Sequence, residues 1–186
     1  KVKLYDELDK VGATLNYANK PPHKDRIENL RHWFELQAEK DENIEVHLNT
    51  KVDEKMLDEL EAMNPYAVIL ACGGTPIAPG RLPGIEKALV WKDVLSGSAD
   101  IRNQNVAVIG GGPGGYTAAL YAARAGLDTL VLEKLSAGGQ MALTTQIDNY
   151  PGFEAGIDGF TLGEKMQQGA ERFGAKTEIV EVDGVH

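Results

Sequence analysis

At 186 residues, with 42% hydrophobic and 25% charged positions, the chain has the composition of a soluble globular protein of one good-sized domain or two small ones. A formal net charge of −9 argues against nucleic acid or an anionic membrane surface as the main partner. The single cysteine, Cys72, excludes an intramolecular disulfide and a cysteine-built zinc site and points to a reduced, cytoplasmic setting; no run approaches the roughly 20 apolar residues of a membrane helix.

Taken in chain order, Lys1 to Tyr5 predicts a strand ending at Asp6, and without an initiator methionine Lys1 reads as a cut end. Asp25 predicts a helix N-cap with Glu28 as its capping-box partner, and Ile27, Leu30, Phe34 and Ala38 fall on one helical face. Ile44 to Leu48 alternates as a strand, and Asp53 is placed to cap a short helix running to about Met63. The continuous apolar run from Tyr66 to Ala71 predicts a buried strand with Cys72 as a small buried residue at its end. A Gly/Pro-rich segment, 73–84, must be turn-rich, and Trp91 to Leu95 suits a helical turn.

The densest chemistry follows. Val106 to Ile109 reads as a buried parallel strand, then glycines stand at Gly110, Gly112 and Gly115, then an alanine-rich helical stretch runs from about Tyr116 to Ala125. A second apolar strand ends at Glu133, about 20 residues on. Strand, glycine turn, helix and acid together form the full context of a dinucleotide-binding fingerprint. Gly110 permits the tight turn, Gly112 lets the backbone approach a pyrophosphate, and Gly115 lets helix and strand pack closely. The pyrophosphate would rest on free N–H groups at the helix start, beside Pro113. Glu133, with Lys134 after it, would accept from ribose hydroxyls and repel a 2′-phosphate, which favours FAD or NAD(H) over NADP(H) at this turn. Beyond it come Gly138-Gly139-Gln140, the turn at Asn149 to Gly152, a helix from about Leu162 to Phe173 and a strand from Lys176 to Val182.

An internal repeat is present in outline. A strand ending in an acid and followed by a small-residue loop occurs at Val2 to Asp6 with Gly12, and again at Thr129 to Glu133 with Gly138. Asp6 would then be the ribose acid of an earlier dinucleotide unit. His23, His32, His47 and His186 are scattered, so no catalytic acid, base or metal cluster is assigned.

Two resemblances rest on these residues. Val2 to Asp6, Thr14 to Ala18, Pro21 to Lys24, Ala67 to Pro76 and Leu82 to Ile85 resemble the later part of 2,4-dienoyl-CoA reductase and old-yellow-enzyme-type NADH oxidases. Gly110 to Arg124, Gly138 to Met141 and Ile147 to Phe153 resemble the FAD domain of thioredoxin reductase. The resemblance implies that Gly110, Gly112 and Gly115 contact an FAD pyrophosphate, that Glu133 meets the adenosine ribose, and that Gly139, Gln140 and Asn149 lie along the flavin end. It implies an α/β, Rossmann-like fold with a mainly parallel sheet, incomplete or permuted. Residues 1–104 would be a partial FAD/NAD-domain half and residues 105–186 an FAD-binding half. Activity would be that of a flavoprotein NAD(P)H oxidoreductase, with FAD as cofactor and reduced nicotinamide as donor. The acceptor would be a disulfide, quinone or enoate. A homodimer, or association with a missing domain, is the expected assembly. A non-catalytic FAD/NAD-binding module and a structural fragment needing a partner chain are the alternatives.

Overall fold

The computed structural model describes residues 1–21, 23–78 and 80–186. Pro22, inside the motif at Pro21 to Lys24, and Pro79, inside the turn-rich segment, lie outside the described residues. The fold is α/β with parallel pairing throughout its named strands, in two compact units, Lys1–Pro76 and Ile77–His186.

In the first unit, β1 (Val2–Tyr5) pairs in parallel with β2 (Ile44–His47), from Val2 opposite Ile44 to Tyr5 opposite His47. A parallel pair needs a crossover, supplied here by the short α1 (Leu15–Ala18) and the long α2 (Asp25–Lys40). Asp6 closes β1 by accepting at Oδ1 from the Leu8 N–H (3.0 Å). The α2 face differs from expectation. Leu30 and Phe34 are 45% and 47% exposed, whereas Arg31 is buried, its stem lying across Gly12. A buried guanidinium is tolerable only when its donors are matched. Glu28 takes Nη2 at 2.8 Å and Glu35 takes Nη1 at 3.3 Å, while Asn19 Nδ2 donates to Glu28 as well. Glu28 is therefore spent on Arg31, and it is Lys24, with no side-chain cap, that precedes the helix, not Asp25.

The Arg31 guanidinium, followed by the Asn19 amide, holds the Glu28 carboxyl down from 4.5 to about 2. A carboxylate depressed in the folded state stabilises it above the unfolded value and loses that contribution as pH falls through the folded one. The thermal midpoint of the first unit should thus fall between pH 4.5 and about 2. Glu28→Gln should flatten that slope, and an unchanged slope in the variant would refute the assignment.

α3 (Glu54–Ala62) starts as the sequence indicates: Asp53 Oδ1 accepts from the Met56 N–H at 2.9 Å. The run from Tyr66 to Ala71 does not form the expected buried strand. Ile69 and Leu70 are 87% and 80% exposed, and Cys72 is exposed too. An apolar run becomes a strand only by pairing, and among the described residues this run pairs with neither β1 nor β2.

The second unit opens with a 3-10 turn (Ile85–Lys87) and α4 (Trp91–Ser96). Its chain end returns to this segment, where the Val185 N–H donates to the Pro83 carbonyl at 2.8 Å. The sheet has the order β3 (Val106–Ile109), β4 (Thr129–Glu133), β5 (Lys176–Ile179), all parallel. α5 (Pro113–Arg124) and α6 (Gly159–Glu171) are the two crossovers and pack on each other. Tyr116, Ala119 and Ala123 of α5, Val131 of β4 and Ala170 of α6 form the core with Ala137 and Ala175. Alanines at 119, 123 and 170 keep the two helices close to each other and to the sheet. β3 is half-exposed rather than buried: Ala107 and Ile109, alternate residues on one face of the strand, are exposed, while Val106 and Val108 are partly buried. The repeat seen in the sequence has a structural counterpart. Glu133 Oε1 accepts from the N–H two residues on, at Leu135 (3.1 Å), as Asp6 does, and Gly12 and Gly138 both take positive φ (+112° and +103°).

Candidate functional site

The fingerprint turn lies at the carboxyl end of β3. Gly110 takes φ +98°, which explains the glycine there, and its N–H donates to the Leu132 carbonyl of β4 at 2.8 Å. The Gly111 N–H donates to Glu133 Oε2 at 2.6 Å, and a Cβ on Gly111 would stand 3.0 Å from the Glu133 Cβ. Gly111 is thus part of the site, through Glu133, though the three-glycine pattern passes over it. Gly112 is the N-cap of α5 in extended conformation (φ −76°, ψ −177°). Pro113 follows at the first helical position, where its missing N–H costs nothing. A Cβ on Gly115 would overlap the Gly110 carbonyl oxygen and lie 3.0 Å from its carbon, so helix and turn touch backbone to backbone.

Gly112 is different. Neither positive φ nor packing demands a glycine, since the nearest atom to an added Cβ is the Gly138 oxygen at 3.8 Å. Beside it the N–H groups of the first helical turn have no acceptor within the helix and carry the positive end of its dipole. The backbone at Gly112 is thus left open beside the start of α5.

Glu133 is buried (8% exposed), with Oε2 on Gly111 and Oε1 on Leu135. Each oxygen retains acceptor capacity beyond these bonds. Lys134 is exposed and pairs with Glu181 at 2.5 Å, an ion pair of small energetic weight.

The loop after β4 lies across the turn. The Gly138 N–H donates to the Gly111 carbonyl at 2.8 Å, and a Cβ on Gly139 (φ +54°) would be 3.3 Å from the Gly112 Cα. Gly139 begins a 3-10 turn (Gly139–Leu143) that carries Gln140 with its side chain exposed. The structure thus brings Gly110, Gly111, Gly112, Gly115, Glu133, Gly138 and Gly139 into one cluster. Asn149 is exposed and sits on a different loop, closed by the antiparallel bridge between Ile147 and Ile157. There it lines a shallow pocket of about 300 Å³ with Tyr150 and Phe153, whose ring centroids are 6.1 Å apart. Asp6 belongs to the first unit, at the end of β1.

Residues 104–185 match the family described as pyridine nucleotide-disulphide oxidoreductase. Over 80 residues the chain is 54% identical to the bifunctional thioredoxin reductase/thioredoxin of Mycobacterium leprae, covering 43% of this chain and 18% of that protein. It is 51% identical over 89 residues to the thioredoxin reductase of Streptomyces coelicolor, covering 46% and 27%. It is 48% identical over 81 residues to the glucosaminate ammonia-lyase of Pseudomonas fluorescens, covering 44% and 25%. The chain therefore spans about a quarter or less of the length of these relatives. A solved 2-naphthoyl-CoA reductase aligns with all of this chain and 25% of its own, at a TM-score of 0.67 and 21% identity, a likeness of fold. With its turn, acid and parallel sheet, the segment 104–185 resembles the pyridine nucleotide-disulphide oxidoreductases, and within that superfamily the thioredoxin reductases.

Proposed function

We propose that the chain is part of an FAD-dependent NAD(P)H oxidoreductase, with the turn at Gly110–Gly115 holding the pyrophosphate of FAD and Glu133 the adenosine ribose. The observation that carries this reading is the convergence of the open α5 N-terminus at Gly112 with the buried carboxylate of Glu133, which holds the Gly111 N–H at 2.6 Å. Gly139 and Gln140 extend from the same cluster in the direction of the flavin end, and Asn149 is proposed to reach it from the neighbouring loop. When bound, FAD supplies the ring that accepts a hydride from reduced nicotinamide. The chain's own residues bind and orient: the α5 N-terminus neutralises phosphate charge, and Glu133 fixes the sugar. The names of the relatives favour a disulfide as the electron acceptor over a quinone or enoate. We assign residues 105–186 as the FAD-binding half and residues 1–104 as a partial second half. We expect the protein to work in the cytoplasm as a homodimer or joined to a further domain.

The alternative reading is a module that binds FAD without turnover. The visible spectrum of the purified protein incubated with FAD, before and after NADH under anaerobic conditions, separates the readings. A bound flavin that bleaches supports the reductase. A bound flavin that persists supports the module, and no bound flavin removes FAD from this turn.

A further inference from the structure

Helix α6 meets the loop that crosses the fingerprint turn through two glycines one turn apart. A Cβ on Gly163 would lie 2.5 Å from the Ala137 oxygen and 2.7 Å from the Gly138 Cα. A Cβ on Gly159 would overlap the Met141 oxygen and lie 3.0 Å from that of Thr144, which already accepts the Gly159 N–H at 2.8 Å. Both glycines are buried, and neither has positive φ, so packing alone explains them. On its other side the same loop rests on the turn, through the Gly138 N–H to the Gly111 carbonyl and through Gly139 against Gly112. The loop is clamped between α6 and the phosphate turn, backbone against backbone on both sides. Flexible side chains absorb a displacement of some tenths of an ångström, whereas such a contact transmits it.

We infer that Gly159 and Gly163 are positioning residues: they set the height of the Gly138–Gln140 loop above the fingerprint turn, and hence the fit of the flavin end of the nucleotide. The inference rests on the FAD reading above. Asp158 holds the arrangement at its start, since its Oδ1 accepts the Thr161 N–H at 2.9 Å and caps α6.

The test compares FAD with ADP, which shares the adenosine and pyrophosphate but lacks the flavin. Gly163→Ala should weaken FAD about tenfold or more, by analogy with other small misplacements at a binding site, and weaken ADP clearly less. Gly169→Ala, on the same helix with open space around the added carbon, should alter neither. Should Gly163→Ala fail to fold, Asp158→Ala should weaken FAD selectively, and Asp158→Asn, which keeps a capping oxygen, should restore it. An equal loss of both ligands, or no loss of either, overturns the inference and leaves the FAD reading standing. If the wild-type chain binds neither, the FAD reading fails on its own. Amide exchange at Gly138, read without ligand, still decides the clamp: faster exchange in Gly163→Ala than in wild type supports it, and equal exchange refutes it.

Discussion

Gly115→Ala is expected to abolish nucleotide binding and to lower the thermal midpoint of the second unit by roughly 10 °C or more. The added carbon overlaps the Gly110 carbonyl oxygen, and neither partner is a flexible side chain that can turn aside. Relief requires α5 to move off the end of β3. That opens the packing of Tyr116, 1% exposed, and Ala119, fully buried, on the sheet. Overpacking of this kind costs about 1–3 kcal/mol and more where backbone must shift; in a unit of this size each kcal/mol moves the midpoint by roughly 4–8 °C. Two neighbours separate packing from ligand contact. At Gly114 an added carbon meets nothing within 4 Å, so Gly114→Ala should keep binding and gain up to about 1 kcal/mol in helix propensity. Gly112→Ala should keep the stability and lose the nucleotide. Calorimetry with and without FAD reads all three. Retained affinity in Gly112→Ala would mean that the pyrophosphate does not approach the turn there.

The parts of this fold that were legible in the sequence are those fixed by local chemistry. Asp53 caps α3 because its carboxylate needs only the N–H three residues ahead, and Gly110 is a glycine because of its own φ. Long-range partners decide the rest. The stripe from Ile27 to Ala38 reads as a buried face, yet Arg31 lies inward. Its guanidinium finds Glu28 and Glu35 on its own helix and, through Glu28, the Asn19 amide from the preceding loop. Tyr66 to Ala71 has a strand's composition, and composition supplies no neighbour to pair with. At the site, the expected glycines and Glu133 converge, while Lys134 is engaged with Glu181, 47 residues away, which spacing does not disclose. Gly159 lies before the helix expected from about Leu162, and its place on one face with Gly163 emerges only because α6 begins at Gly159. What that face touches required the tertiary structure.

Glu133→Ala is expected to cost the second unit about 2–4 kcal/mol, because it leaves two donors, the Gly111 and Leu135 N–H groups, without their acceptor near a buried side chain. Glu133→Gln should cost about half as much: one oxygen still accepts, while the amide nitrogen faces an N–H it cannot accept from. The loss also loosens the turn, since the Gly111–Glu133 bond ties the residue before the α5 N-cap to the end of β4. Stability alone does not show that the carboxylate faces a sugar. Charge does. A carboxylate at the ribose disfavours a 2′-phosphate, so wild-type protein should prefer ADP to an ADP carrying a 2′-phosphate. Glu133→Gln removes the charge at nearly constant shape and should narrow that preference, a tenfold narrowing corresponding to about 1.4 kcal/mol. Isothermal titration with the two nucleotides measures the ratio. A preference that survives the substitution unchanged would assign Glu133 to holding the turn alone, with the ribose bound elsewhere.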